Sequence, residues 1–159
     1  LKVGRLDYVV QKATEMGAGR IRPVVTRFTE MRRLTRDKLA ANIVEAAEQC
    51  EVLNVPVLEE AVEFARWLDG WDAAEPGRRL VFADEGAAAA SPLPVLARLG
   101  PGPVALLVGP EGGFAPEERA RLLASPFATP ISLGPRILRA DTAAVAALAV
   151  MQASIGDWR

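Results

Sequence analysis

The chain has 159 residues, of which 50% are hydrophobic and 25% are charged, a composition typical of one globular domain with a substantial core. It contains no histidine, which excludes Ser–His and Cys–His nucleophile pairs and argues against a bound metal. Its single cysteine, Cys50, excludes an intrachain disulfide and suits a reducing cytosol. The longest apolar run is far shorter than the ~20 residues that span a bilayer, and no export signal is visible. We therefore expect a cytoplasmic protein without a membrane partner.

Hydrophobic spacing and turn residues predict alternating helices and strands along the chain. In chain order these are a helix at 6–16 closed by Gly17, a strand at 21–25 interrupted by Pro23, a helix at 35–50, a strand at 55–58, a helix at 59–68, a loop at 69–78, a strand at 79–83, a helix at 92–99, a strand at 104–108, a helix at 116–124, a strand at 129–133 and a helix at 142–155. The last helix is apolar nearly all round, so we expect it to be buried. The alternation predicts an α/β domain with a mainly parallel sheet flanked by helices.

The charge is unevenly distributed. Residues 1–38 carry ten Lys or Arg and four Asp or Glu, a balance of +6, whereas residues 39–159 carry nine and sixteen, a balance of −7. Clustered cations can bind the phosphates of a nucleic acid, although a solvated protein surface has the same composition. Lys12 also lies three residues before Glu15 on the first helix, where the two can pair. The candidate RNA-binding residues are Lys12, Arg20, Arg22, Arg27, Arg32 and Arg33.

A glycine-rich loop at 107–114, Leu-Val-Gly-Pro-Glu-Gly-Gly-Phe, follows the apolar strand at 104–108 and precedes a helix. In open α/β sheets ligands bind at the carboxyl ends of strands, and glycines let a ligand approach the backbone. The loop lacks the Gly-Lys-Ser/Thr of a phosphate loop and the spacing of a dinucleotide fold, which disfavours a kinase-like domain. A plain strand-to-helix turn is the alternative. Glu111, an acid between glycines, favours a ligand site.

A second segment, 133–143, has the same order of strand, irregular loop and helix. Arg136 and Arg139 flank Ile137 and Leu138, so apolar side chains alternate with cations that can face an anionic group. The alternative is that both arginines are solvated or pair with Asp141. Asp141 can also serve as the amino cap of the last helix. Two such loops in one small domain predict one composite ligand site.

Together these segments resemble the uridine-N3 methyltransferases of small-subunit ribosomal RNA, which belong to the SPOUT superfamily of knotted methyltransferases. Residues 107–114 and 133–139 match two signatures of that family, and residues 11–17 and 45–50 resemble two further stretches in the same order. The chain departs from the family pattern at two places. Asp141 stands where the family usually has glutamate, and Val52 stands near a position where it often has arginine.

The resemblance implies an S-adenosylmethionine-dependent enzyme that methylates N3 of a uridine in small-subunit (16S) ribosomal RNA. It further implies a carboxyl-terminal trefoil knot, a homodimer, and an amino-terminal PUA-like RNA-binding domain that precedes this methyltransferase domain in the family. Residues 1–159 then form the methyltransferase domain alone. Two other hypotheses are a SPOUT enzyme that acts on transfer RNA or a ribose hydroxyl, and a non-catalytic RNA-binding domain.

The resemblance and the two loops together nominate site residues. Arg139 or Arg136 would stabilise negative charge on the uracil oxygens, and Glu111 would act as base or orienting group. The expected S-adenosylmethionine-binding residues are Ala83, Leu107, Gly109, Pro110, Gly112, Leu133, Gly134, Ile137 and Leu138.

Overall fold

The computed structural model describes residues 3–30, 35–88 and 90–158, with side chains described from Arg5 onward. Helices and strands alternate through these ranges. The helices are α1 Val3–Glu15, α2 Arg36–Gln49, α3 Phe64–Asp69, α4 Trp71–Ala74, α5 Leu93–Leu99, α6 Pro116–Ala124 and α7 Ala140–Ile155. The strands are β1 Arg20–Ile21, β2 Val24–Val25, β3 Val57–Leu58, β4 Val62–Glu63, β5 Arg79–Ala83, β6 Val104–Leu107 and β7 Ala128–Ile131.

The main sheet has three parallel strands in the order β6-β5-β7. In the central strand, Leu80, Val81 and Phe82 are fully buried, because this strand is covered on both faces. Phe82 is level with Leu107 in β6, and Ala83 is level with Ile131 in β7. The carboxyl ends of all three strands therefore lie at one edge of the sheet. The expected α/β class with parallel strands is confirmed.

The amino-terminal half contributes two shorter parallel pairs, β1 with β3 and β2 with β4. Pro23, which lacks a backbone N–H, separates β1 from β2, as the sequence predicts. The first helix ends at the expected glycine, since Gly17 has a φ of +81° and its N–H donates to the Thr14 carbonyl.

Three apolar clusters hold the elements together. One packs α3, α4 and α6 on one face of the main sheet, and a second packs α5 and α7 on the other. The third joins α1 and α2 through Val10, Leu39, Ile43 and Leu58. The inner face of α2 buries four apolar residues: Leu39, Ile43, Ala46 and Ala47.

The region 59–78 differs from the predictions. Residues 62–63 pair with β2 as strand β4, and the helix begins only at Phe64, because sheet pairing outweighs local helical preference. The predicted loop contains the short helix α4. Trp71 accounts for it, since its ring is 3% exposed, stacks on Phe127 and donates through Nε1 to the Arg78 carbonyl.

The last helix also differs in two respects. It begins at Ala140 with Arg139 in the cap position, so Asp141 lies inside the first turn and is not the amino cap. The Asp141 carboxylate accepts the Thr142 N–H at 2.9 Å and lies 3.8 Å from the Arg5 guanidinium. The helix buries one alanine-rich face, whereas Leu148 and Val150 are only half-buried, so the expected complete burial is wrong for the single chain.

Candidate functional site

A cavity of about 300 Å³ lies at the edge where the three strands of the main sheet end. The loops that follow β5, β6 and β7 form its walls, as expected for parallel strands. Its volume is at the lower end of the range for small-molecule sites. Eight of the twelve predicted catalytic and cofactor-binding residues line it: Ala83, Gly109, Pro110, Glu111, Leu133, Gly134, Arg136 and Leu138.

The glycine-rich loop is shaped by a tight turn. The Gly113 N–H donates to the Pro110 carbonyl at 2.9 Å, and Gly113 has a φ of +68°, a conformation that side chains disfavour. Phe114 then fixes the loop to the core, because its ring packs against Phe64 and Phe82. These contacts hold the loop backbone at the cavity wall.

The loop after β7 contributes apolar walls and one cation. Leu133 and Leu138 line the cavity, and Gly134 between them has a φ of +101°. Arg136 is exposed and also lines the cavity. It forms no ion pair with the residues that the structure describes, so its guanidinium remains available for an anionic group.

Four of the predicted residues lie outside this cavity. Ile137 is 84% exposed, and the exposed Arg139 caps α7. Leu107 points to the other side, where it belongs to the cluster under α3 and α6. Gly112 faces Phe28, whose Cβ would lie 3.2 Å from a Cβ added at this glycine. The role of these four residues in ligand binding therefore stays a prediction.

The loop after β5 supplies cavity residues that the sequence prediction missed. Asp84 is 5% exposed and accepts two hydrogen bonds at 2.9 Å, one from Nε and one from Nη2 of Arg119. Asp84 also accepts a hydrogen bond from the Gly86 N–H. The hydrogen bond to the Asp84 carboxylate raises the pKa of the Arg119 guanidinium. Position gives the signal, since Asp84 is the first residue after a buried strand. This fork fixes the loop to α6.

Glu111 lies on the opposite wall. Partial burial acts to raise the pKa of its carboxyl, but a hydrogen bond from its own backbone and positive charge that includes Arg5 outweigh this effect. Its pKa is therefore lowered from 4.5, and the carboxylate is charged at neutral pH. A charged carboxylate can accept a hydrogen bond from a substrate N–H, which suits an orienting role.

Buried Glu118 connects the glycine-rich loop to the segment after β2. One carboxylate oxygen accepts the Ala115 N–H at 3.0 Å, and the other accepts the Arg27 N–H at 2.9 Å. The first bond is one half of a capping box for α6, since Ala115 has no side-chain acceptor for the reciprocal bond. Glu118 thus holds residue 27 beside the cavity loop.

The four candidate RNA-binding residues that the structure describes each form an ion pair. Lys12 pairs with Glu15, which raises the pKa of the lysine, and Arg27 pairs with Glu117. Arg20 contacts Glu59 and Glu75, and Arg22 contacts Glu59. Arg32 and Arg33 lie outside the described residues. The RNA-binding role of these six residues stays a prediction.

The amino-terminal network is centred on Glu75, which is 9% exposed. Burial acts to raise the pKa of Glu75, but hydrogen bonds from Arg20 and Arg78 dominate and lower it from 4.5. The network borders a larger cavity of about 760 Å³ between β6, the β1–β2 segment, α1 and α7.

Two negative observations concern residues 3–30, 35–88 and 90–158. No group of three or more Cys, Asp or Glu residues there could hold a metal ion. No helix there is long and apolar enough to cross a membrane.

A family model described as an RNA methyltransferase domain matches residues 1–152. The chain belongs to this family. Ribosomal RNA small subunit methyltransferase E of Rickettsia conorii is 32% identical over 150 residues, which are 94% of this methyltransferase domain and 59% of the relative. The protein of the same name from Buchnera aphidicola subsp. Schizaphis graminum is 28% identical over 159 residues, 96% of this chain and 62% of the relative. The methyltransferase domain therefore spans about three fifths of the length of these relatives.

A solved structure has the same fold. Ribosomal RNA small subunit methyltransferase E from Neisseria gonorrhoeae, bound to S-adenosyl methionine, superposes with a TM-score of 0.85 at 28% identity. The match covers 98% of this methyltransferase domain and 63% of that chain. The resemblance drawn from the two glycine-containing loops is thereby confirmed at the level of the family.

Proposed function

We propose that this methyltransferase domain binds S-adenosylmethionine in the 300 Å³ cavity and transfers its methyl group to N3 of a uridine in small-subunit ribosomal RNA. The observation that carries the proposal is the convergence of three strand-end loops on this cavity in a chain of the RNA methyltransferase family. The names of the relatives, which are small-subunit ribosomal RNA methyltransferases, support the substrate class.

The chemistry of the cavity suits this cofactor. S-adenosylmethionine has no phosphate, so a site for it needs apolar walls and backbone hydrogen-bonding groups rather than a lysine. Leu133, Leu138 and Ala83 would provide the walls, and the open space beside Gly134 admits a ligand close to the backbone. When bound, S-adenosylmethionine supplies an electrophilic methyl group.

The chain's own residues would orient the target base and stabilise its charge. The N3 proton passes to solvent water as the methyl group is transferred, and its loss places negative charge on the uracil oxygens, which Arg136 at the cavity wall can stabilise. Arg139 is exposed three residues further on and is the second candidate for this role. The Glu111 carboxylate would accept a hydrogen bond from the uracil N3–H and so orient the base. Much of the rate enhancement then comes from positioning two reactants.

Methyl transfer from radiolabelled S-adenosylmethionine to small ribosomal subunits tests the proposal, followed by mass spectrometry of the nucleosides. We expect 3-methyluridine. A methylated ribose, or transfer only to transfer RNA, would support a different substrate. RNA binding without any transfer would support the non-catalytic alternative. Glu111→Gln should retain cofactor binding and lower turnover, and full turnover in this variant would refute the role of Glu111.

The remaining expectations are part of the same proposal. We propose that the protein is a cytoplasmic homodimer, that its carboxyl-terminal segment forms a trefoil knot, and that a PUA-like domain cooperates with this domain in RNA binding. The half-buried apolar side of α7 supports a dimer, because such a surface is stabilised when a second copy covers it. Sedimentation equilibrium tests the dimer, and a purely monomeric protein would contradict it.

A further inference from the structure

Phe28 is a half-exposed aromatic residue in a tightly hydrogen-bonded turn. Its side chain is 45% exposed, whereas Phe64 and Phe82 are almost completely buried. The turn around it is closed by Thr26 and Thr29: the Thr26 N–H donates to Thr29 Oγ1 at 2.9 Å, and the Thr29 N–H donates to the Thr26 carbonyl at 3.0 Å. The backbone that carries the ring is therefore ordered before any ligand binds.

The turn is fixed next to the candidate cofactor cavity. Glu118 accepts the N–H of Arg27, and the Phe28 side chain lies against the backbone of Gly112. The neighbours of Gly112 in the chain, Glu111 and Gly113, both line the cavity. Phe28 consequently lies on the outer side of the same loop whose inner side faces the cavity.

The surroundings of the ring indicate what it can bind. Thr26, Arg27, Thr29 and Glu30 are polar, so Phe28 is a single aromatic group in a polar segment rather than part of an apolar patch for a protein partner. The adjacent Arg27 side chain is 67% exposed, and its guanidinium pairs with the exposed Glu117 carboxylate, a weak surface contact that a phosphate can replace. An exposed aromatic ring beside a cation is the arrangement with which proteins stack an unpaired base and bind its phosphate.

We propose that Phe28 stacks on an unpaired base of the RNA substrate and that Arg27 contacts the adjoining phosphate. The inference rests on the proposed function for its substrate class, and it identifies a substrate-positioning residue beside the cofactor cavity. The sequence prediction of RNA-binding residues rests on positive charge, so it does not include the aromatic Phe28.

Three variants of the complete natural protein test the proposal. Phe28→Leu keeps an apolar contact with Gly112 but removes the aromatic face, Phe28→Trp keeps the face, and Trp158→Leu removes a more exposed aromatic residue elsewhere (57% exposed). The probe is a short fluorescein-labelled oligouridylate, whose binding is followed by anisotropy. We expect Phe28→Leu to weaken binding roughly tenfold, and the other two variants to bind like the wild type. S-adenosylmethionine affinity, measured by calorimetry, should be the same in all of them.

Equal binding by Phe28→Leu and the wild type would overturn the proposal, as would a wild type that does not bind the oligouridylate. A Phe28→Leu variant that dissociates a homodimer while RNA binding is retained would overturn it in favour of a protein interface. Circular dichroism confirms that each variant folds, and retention of binding by Phe28→Trp distinguishes stacking from mere space filling. If RNA binding follows these expectations but no methyl group is transferred, the proposed function fails and the stacking role stands.

Discussion

Buried Glu118 provides a quantitative test of how the cavity loop is held. Its two carboxylate oxygens accept two different backbone N–H groups, from Ala115 at 3.0 Å and from Arg27 at 2.9 Å. A hydrogen bond to a charged group contributes about 1.5–3 kcal/mol. A negative charge in the first turn of a helix adds about 0.3–1 kcal/mol. Glu118→Ala leaves both donors without this partner, so we expect a loss of at least about 3 kcal/mol in the free energy of unfolding.

Glu118→Gln provides an intermediate case. Its amide has one acceptor oxygen and an NH2 group that cannot accept, so it retains one of the two bonds and should lose about half as much stability. Glu117→Gln is the matched control, because Glu117 is the preceding residue in the same helix turn and is exposed. Because it removes only one exposed first-turn charge and a surface ion pair, it should lose much less stability than Glu118→Ala. Urea unfolding measures all three, and a loss below about 1 kcal/mol for Glu118→Ala would refute the reasoning.

Three further predictions follow from other contacts. Asp84→Asn weakens the paired hydrogen bonds from Arg119 at the cavity wall. It should lower the Tm by at least about 2 °C and weaken S-adenosylmethionine binding in a calorimetric titration. An unchanged Tm and an unchanged affinity would show that these bonds do not support the cavity. Gly113→Ala should destabilise the protein more than Gly77→Ala. Both glycines have positive φ, which costs an alanine about 1–2 kcal/mol, but only at Gly113 would the new Cβ also lie 3.0 Å from the Glu85 carboxylate. Equal losses in urea unfolding would contradict this. The pKa of Glu75 is lower in the folded state, so the stability that its ionised carboxyl contributes is present above pH 4.5 and is lost as the pH falls through the folded-state pKa. Glu75→Gln should therefore make the free energy of unfolding fall less steeply at acid pH. An unchanged acid dependence would exclude the network as its cause.

The sequence predicts the sheet well because hydrophobic periodicity determines it. The strand at 79–83 and the helix at 116–124 have the predicted bounds, since a continuous apolar run and a Pro-Glu-Glu start are strong local signals. The local pattern predicts a helix at 59–68 and misses strand β4, because the pairing of residues 62–63 with β2 is a long-range interaction that leaves no local pattern. Asp141 is not the amino cap, since the helix starts at Ala140, two residues before its predicted start.

The sequence predicts the parts of the candidate site that backbone conformation determines. It does not predict the parts that depend on contacts between side chains distant in the sequence. Glycines after a strand locate Gly109 and Gly134 at the cavity. The sequence does not reveal that Asp84 is forked by Arg119, that Glu118 reaches back to residue 27, or that Ile137 is exposed to solvent. These contacts join residues 35 to 91 positions apart, and only the folded chain brings them together.

Crystals of the chain grown with S-adenosylmethionine test the central claim most directly. The proposal predicts cofactor density between Ala83, Pro110 and Leu138, in the cavity at the carboxyl ends of β5, β6 and β7. Density in the larger cavity between α1, α7 and β6, or a fully ordered 300 Å³ cavity that holds only water at saturating cofactor, would contradict it.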